Sequence, residues 1–207
     1  MIGIIDYGVG NLFSIQRSLD YIGVKTLITK EASQLSACQQ IILPGVGAFA
    51  DAKKQLEEVA LTNVVCELAQ QGMPLLGICL GMQLLFEESH EFGVHPGLGL
   101  IPGKVVSLKD ALNEQNIDLK VPHIGWNALD IQKNSPLTAN LKPKDQVYYV
   151  HSFYADCPKE YILATSEYGI EVTGMVQNKN IYGAQFHPEK SGDVGLAILK
   201  AFAEVKE

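Results

Sequence analysis

Pro74-Leu75-Leu76-Gly77-Ile78-Cys79-Leu80-Gly81-Met82-Gln83 is the stretch on which the reading of this chain turns. A short apolar run reads as a fully buried strand, and it leads straight into a cysteine with a glycine two residues away on either side. An apolar helical pattern follows at once and is expected to continue to about Glu88. A strand turning sharply into a helix cramps the backbone at its middle residue, so the neighbours must be small, and Gly77 and Gly81 supply that room. The Cys79 side chain is left projecting. A helix N-terminus behind it presents unpaired N–H groups and the positive end of a dipole, which favour the thiolate. The same residues also describe a buried cysteine beside two packing glycines, and other parts of the chain must decide between the two.

Working outward, Ile2 to Asp6 reads as a buried strand, Tyr7 to Asn11 as a glycine-rich turn, and Leu12 to Ile22 as a helix with apolar positions 12, 15, 19 and 22. Lys25 to Thr29 and Gln40 to Leu43 are further strands, the latter ending in Pro44-Gly45-Val46-Gly47. Residues 48 to 71 read as two helical segments. Strands alternating with helices predict an α/β fold, a doubly wound and mostly parallel sheet with helices on both faces. The second half changes character. Runs at 104–108, 119–123, 128–131, 147–153, 161–166, 172–177 and 181–186 read as strands forming an antiparallel extension, with Ser89 to Pro102 as a loop. Helix is expected again only at Asp193 to Val205, with positions 196, 199 and 202 facing the sheet. Nothing of linker composition divides the chain, which predicts one domain over residues 1–207.

The formal charge of −7 and pI near 5.2 argue against nucleic acid or an anionic membrane as the main partner. Small molecules and proteins remain. The four cysteines, at 38, 66, 79 and 157, have neither disulfide-framework nor metal-ligand spacing, so no metal and no cofactor is expected. The chain opens on a strand-like run without an export signal or anchor pattern, and a reducing, cytoplasmic setting is the expectation.

A thiolate nucleophile needs a positioned acid/base and a group that orients it. Phe186-His187-Pro188-Glu189 supplies both: His187 ends an apolar strand, and Glu189, two residues on, projects to the same side if the backbone is extended. Standing alone, the same residues would make a turn with a surface ion pair. His90 and His95 lie in a polar loop and look solvated, while His123 and His151 end strand-like runs and are open to a functional role, although neither has a carboxylate two residues away. For an oxyanion, the N–H of Leu80 is one donor and that of Val46 or Gly47 the second. Glycines on both sides of Val46 permit a peptide flip and hence a switchable hole, although they equally describe a static turn. Gly8-Val9-Gly10-Asn11-Leu12-Phe13 follows the first strand like a dinucleotide fingerprint, but Phe13 stands where the third glycine belongs. Taken alone, the triad also allows a cysteine hydrolase of the protease or thioesterase kind.

Gly77-Ile78-Cys79-Leu80-Gly81-Met82-Gln83 with His187-Pro188-Glu189 resembles the signature of the class I (triad) glutamine amidotransferases, over essentially the whole chain. Within that family, Asp6 to Asn11, Pro44 to Gly47, and Pro122-His123-Ile124-Gly125-Trp126-Asn127 resemble the branch of glutaminase subunits that serve imidazole glycerol phosphate synthases of histidine biosynthesis. The resemblance implies that Cys79 attacks the carboxamide of glutamine and that His187, oriented by Glu189, protonates the departing ammonia. Water then releases glutamate from a thioester. It also implies that Gly45, Gln83, Ser152 and Phe153 bind the substrate. The ammonia would pass to a cyclase subunit, a (β/α)8 barrel, in a heterodimer. That subunit would make imidazole glycerol phosphate and aminoimidazole carboxamide ribonucleotide. Val9, Asn11, His123, Trp126 and Lys190 are the expected partner surface, each with a plainer reading as turn, core or solvated residue. A glutaminase feeding another synthase, a cysteine hydrolase without amidotransfer, and a non-catalytic member of the fold are the alternatives; the intact triad speaks against the last.

Overall fold

The computed structural model describes residues 1–206. The first half alternates β1 (Ile2–Ile5), α1 (Leu12–Tyr21), β2 (Thr26–Thr29), α2 (Ala32–Ser36), β3 (Gln40–Leu43), α3 (Phe49–Glu58), α4 (Thr62–Gln70), β4 (Leu75–Ile78) and α5 (Leu80–Leu84). The second half is strand-rich: β5 (Phe86–Ser89), β6 (His95–Pro96), β7 (Ile101–Ser107), α6 (Leu108–Glu114), β8 (His123–Ala128), β9 (Asp130–Ile131), β10 (Gln146–His151), β11 (Phe153–Asp156), β12 (Ile162–Tyr168), β13 (Ile170–Asn178), β14 (Ile181–Ala184) and α7 (Gly192–Glu204).

The main sheet has eight strands in the order β2-β1-β3-β4-β14-β13-β12-β9. Its first five are parallel and the rest antiparallel, which is the expected doubly wound sheet with its extension. Successive strand residues point to opposite faces, so β3 sends Ile42 one way and Ile41 and Leu43 the other. Ile42 packs with Ile15 and Leu19 of α1 and Ile198, Leu199 and Phe202 of α7. Ile41 and Leu43 pack with Leu35 of α2, Phe49 and Leu56 of α3, and Val65 and Leu68 of α4. Both faces are thus covered, and the four central strands are buried along their whole length.

Two smaller sheets sit beside this frame. One is the ribbon β10-β8 and the other has the order β11-β7-β5-β6. They overturn several expectations. The helix after Cys79 stops at Leu84, because Phe86 pairs with Ile101 and Ser89 with Val105, which turns the next residues into strand. Helix also returns before the C-terminus. Ser107 accepts a hydrogen bond from the Asp110 N–H and so caps α6, whose Leu108 and Leu112 are buried one turn apart. The strand expected at 119–123 begins only at His123, and the 147–153 run is two strands that belong to different sheets. In α7 the buried positions are 195, 198, 199, 201 and 202 rather than 196.

Candidate active site

β4 and β14 are parallel neighbours, with Gly183 beside Gly77 and Ala184 beside Ile78. That register brings the two chemistry-bearing segments, far apart in sequence, to the same sheet edge. Just past it, the Cys79 N–H donates to the Ala184 carbonyl at 2.7 Å. Cys79 itself has φ 54° and ψ −113°, a strained conformation for a residue with a Cβ, as an elbow requires. The flanking glycines are enforced by backbone: a Cβ on Gly81 would lie 1.9 Å from the Leu43 carbonyl oxygen, and one on Gly77 would lie 2.6 Å from that of Gly81. The packing-glycine and elbow readings therefore both describe this turn, and only the surroundings of the sulfur separate them.

A cavity of about 290 Å³ opens over the sulfur. Cys79, Leu80, Val46, Gly47 and His187 all line it, together with Gln83, Ser152 and Phe153. Gly45 does not. It is a spacer below the cavity, where a Cβ would come within 2.6 Å of the Gly81 amide nitrogen. Tyr7, buried beneath the same loop, donates its hydroxyl to the Pro44 carbonyl at 2.7 Å. Burial, reinforced by the proximity of Cys79, pushes the Tyr7 pKa up, so that proton stays in place.

His187 and Glu189 meet, but by a different route from an extended strand. His187 is extended and Pro188–Lys190 is a turn of 3₁₀ helix, which folds Glu189 back under the ring. Nδ1 of His187 lies 2.9 Å from Oε1 of Glu189, and both side chains are almost wholly buried. The ring is held from behind: the His187 N–H donates to the Tyr148 carbonyl at 3.0 Å, and Ser191 Oγ donates to the His187 carbonyl at 2.6 Å. Burial works to lower the pKa of His187. The hydrogen-bonding and charge of Cys79 and Glu189 overcome it and push the pKa up to about 10. Cys79 and His187 line the same cavity, yet among the described residues Nε2 of His187 has no partner of hydrogen-bond geometry. A buried ring nitrogen without a partner, at the cavity wall beside the sulfur, is placed to hold the proton of the thiol and hand it to a leaving group.

Glu91, Pro122, Val150 and His151 also line the cavity, and of these Glu91 and Val150 were not singled out in the sequence. Glu91 is held by the Phe49 N–H and places a carboxylate in the wall. Val150 offers its carbonyl to the Cys79 thiol at 3.9 Å, and His151 is buried in the wall. The Gln83 amide nitrogen donates to the Phe153 carbonyl at 2.9 Å and to Gln185 Oε1 at 3.0 Å. Both its protons are thus used, and what Gln83 offers a substrate is its oxygen.

The residues expected to face a partner divide. Trp126 is 57 % exposed and meets Tyr148 edge-on, and Lys190 is exposed close by in sequence to Glu189. Val9 is half-buried against the core. Asn11 turns inward, donating to Glu189 Oε1 at 3.3 Å. His123 corrects the expectation: its ring is 2 % exposed, stacked between Tyr149 and Tyr168. Alternation along β8 sends Ile124 and Trp126 outward and His123 in. Among the described residues, no helix is long and apolar enough to cross a membrane, and no cluster of His, Cys, Asp and Glu is placed to hold a metal.

Comparison with known proteins bears on this geometry. The sequence model of the family "Glutamine amidotransferase class-I" matches residues 3–205. The chain is 53% identical over 205 residues to "Imidazole glycerol phosphate synthase subunit HisH" of Listeria monocytogenes serotype 4a, covering 99% of this chain and 96% of that one. It is 49% identical over 207 residues to the protein of the same name in Bacillus cereus strain G9842, covering 100% and 96%. A solved structure, "Crystal structure of glutamine amidotransferase", superposes with a TM-score of 0.75 at 18% identity over 99% of each chain, a likeness of fold.

Proposed function

The chain belongs to the class-I glutamine amidotransferase family, and from that membership we propose that it is the glutaminase subunit of an imidazole glycerol phosphate synthase. The observation that carries the catalytic reading is the arrangement on one cavity wall: a strained Cys79 beside the orphaned Nε2 of a His187 whose other nitrogen is fixed by Glu189.

In this reading the proton of the Cys79 thiol already rests on His187, as the raised pKa of the ring favours, and the Sγ thiolate attacks the side-chain carbonyl carbon of glutamine. The N–H groups of Leu80 and of Val46 or Gly47 receive the oxyanion. Collapse breaks the C–N bond, His187 delivers the proton to nitrogen, and ammonia leaves behind a glutamyl thioester. Water, deprotonated by His187, attacks that thioester and frees glutamate. Glu189 keeps the ring in one tautomer throughout and stabilises its charged form. Gln83, Ser152 and Phe153 bind the backbone end of glutamine, and Glu91, the carboxylate of the cavity wall, pairs with its ammonium group.

Ammonia released here is of use only if it reaches an acceptor before it is protonated and lost to water. We infer that the acceptor site lies in a cyclase subunit of (β/α)8 fold, docked over Trp126 and Lys190, and that the pair works in the cytoplasm with this chain as one domain. The test is a Cys79→Ala variant mixed with the cyclase subunit. Synthesis driven by glutamine is expected to disappear and synthesis driven by added ammonium salt to persist. Loss of both, or survival of the glutamine-driven rate, overturns the division of labour.

A further inference from the structure

A chain of side chains runs from β8 to the reactive sulfur, and backbone groups fix the direction of every hydrogen bond along it. At its outer end, Asn127 Oδ1 accepts from the Ala128 N–H at 2.8 Å and Asn127 Nδ2 donates to the Glu167 carbonyl at 2.9 Å. A backbone N–H cannot accept and a carbonyl cannot donate, so this carboxamide has one orientation. Its second N–H reaches His123 Nε2 at 3.3 Å. That nitrogen is therefore unprotonated, and the ring proton sits on Nδ1, 3.0 Å from His151 Nε2. His151 accepts there and carries its own proton on Nδ1, where it donates to the Phe153 carbonyl at 3.0 Å. The same carbonyl accepts from Gln83, which orients that amide and sends its other N–H to Gln185 Oε1. Gln185 Nε2 is left. It is fully buried and lies 3.9 Å from Cys79 Sγ, its one side-chain partner among the described residues.

We propose that Gln185 is a catalytic residue whose carboxamide N–H donates to Cys79 Sγ, holding the sulfur and stabilising the thiolate left when its proton passes to His187. The S–H bond breaks with both electrons staying on sulfur, and a buried N–H aimed at that atom is worth more than one in water. Gln83 is the positioning residue: the Phe153 carbonyl fixes its amide, and turning that amide would reverse what Gln185 presents, while Asn127, His123 and His151 hold that carbonyl in place one step back. The imidazoles are kept in the required neutral form. Burial pulls the pKa of His123 down to about 4, and burial with charge repulsion from His123 and His187 pulls that of His151 down to about 3, against the lift from its bond to Phe153. A second proton on either ring would set N–H against N–H.

The proposal rests on the glutaminase reading for its meaning, but its test does not. Iodoacetamide alkylation of Cys79, followed on its own peptide by mass spectrometry across pH, needs neither glutamine nor partner. In a Gln185→Met variant of the full chain the midpoint is expected to rise by about half a pH unit or more, with kcat for glutamine reduced about tenfold and KM within about twofold. An unchanged midpoint overturns the proposal. Should that variant fail to fold, the Gln185 side-chain 15N–1H resonances of the unaltered protein, followed across pH, decide. An Nε2 proton that shifts with the midpoint of Cys79 alkylation supports the proposal, and Nε2 protons that do not respond to that titration overturn it.

Discussion

Asn11, in the turn after β1, donates its side-chain amide to Oε1 of Glu189, the same oxygen that faces His187, at 3.3 Å. The first loop of the chain is therefore tied to the orienting carboxylate near its end. A partner that moved this loop would act on the general base without touching it.

Replacing Asn11 by Ala is expected to lower the glutaminase kcat about tenfold, since a hydrogen bond to a charged group contributes roughly 1.5–3 kcal/mol and each ~1.4 kcal/mol is a factor of ten in rate. KM for glutamine should stay within about twofold. Steady-state kinetics on the isolated chain checks this; an unaltered kcat would mean that the Glu189–His187 pair holds its geometry unaided.

Glu91 is the carboxylate of the cavity wall, and its role in the proposed reaction is confined to the ground-state binding of an ammonium group. Glu91→Gln should raise KM by on the order of tenfold to a hundredfold and leave kcat nearly unchanged, the pattern for lost uniform binding. A fall in kcat with constant KM would instead place Glu91 in the chemistry.

Gly81→Ala drives a methyl group into the Leu43 carbonyl oxygen and the Pro44 backbone, neither of which is the end of a flexible side chain. Destabilisation of at least about 3 kcal/mol is expected, read as a lower urea midpoint. A variant of wild-type stability would show that the elbow can open away from β3.

Stability should fall on both sides of neutrality, for opposite reasons. His123 and His151 have folded pKa values of about 4 and about 3, below the unfolded value near 6.5. The unfolded chain binds the extra protons, so stability is lost as pH drops below about 6.5, on the order of 2 kcal/mol for each ring by pH 5. His187 has the reverse sign. Its folded pKa, raised to about 10, gives stability that is complete below pH 6.5 and drains away as pH climbs toward 10. Urea midpoints across pH measure both limbs. His187→Gln should flatten the alkaline limb alone; if it flattens the acid limb instead, the assignment of signs is wrong.

Much of this was legible in the sequence because it depends on short-range grammar. Buried apolar runs, the glycines around Cys79 and the spacing of His187 to Glu189 each state a local geometry, and the parallel pairing of β4 with β14 does the rest. What could not be read depends on partners distant in sequence. The helix after Cys79 ends at Leu84 because Ile101 to Val105 competes for the following residues, and nothing in residues 80–88 announces that. Glu91 carried no signal in its own segment because its contact is the Phe49 N–H, from another one. His123 passed for a surface residue because alternation along β8 has two phases, and only Tyr149 and Tyr168 choose between them. The helix at 108–114 is a different case: Ser107 and Asp110 spelled its cap, and that signal was present to be read.

The hydrogen bond from Cys79 to Ala184 makes the protein safe as well as competent. An exposed, activated thiolate is a hazard in a cell, open to oxidants and stray electrophiles. Here the strain that projects the sulfur is clamped by the very strand that delivers the imidazole. If that strand peels away, the elbow loses its clamp and the sulfur loses its base together. Damage to that pairing therefore disarms the chemistry rather than unleashing it.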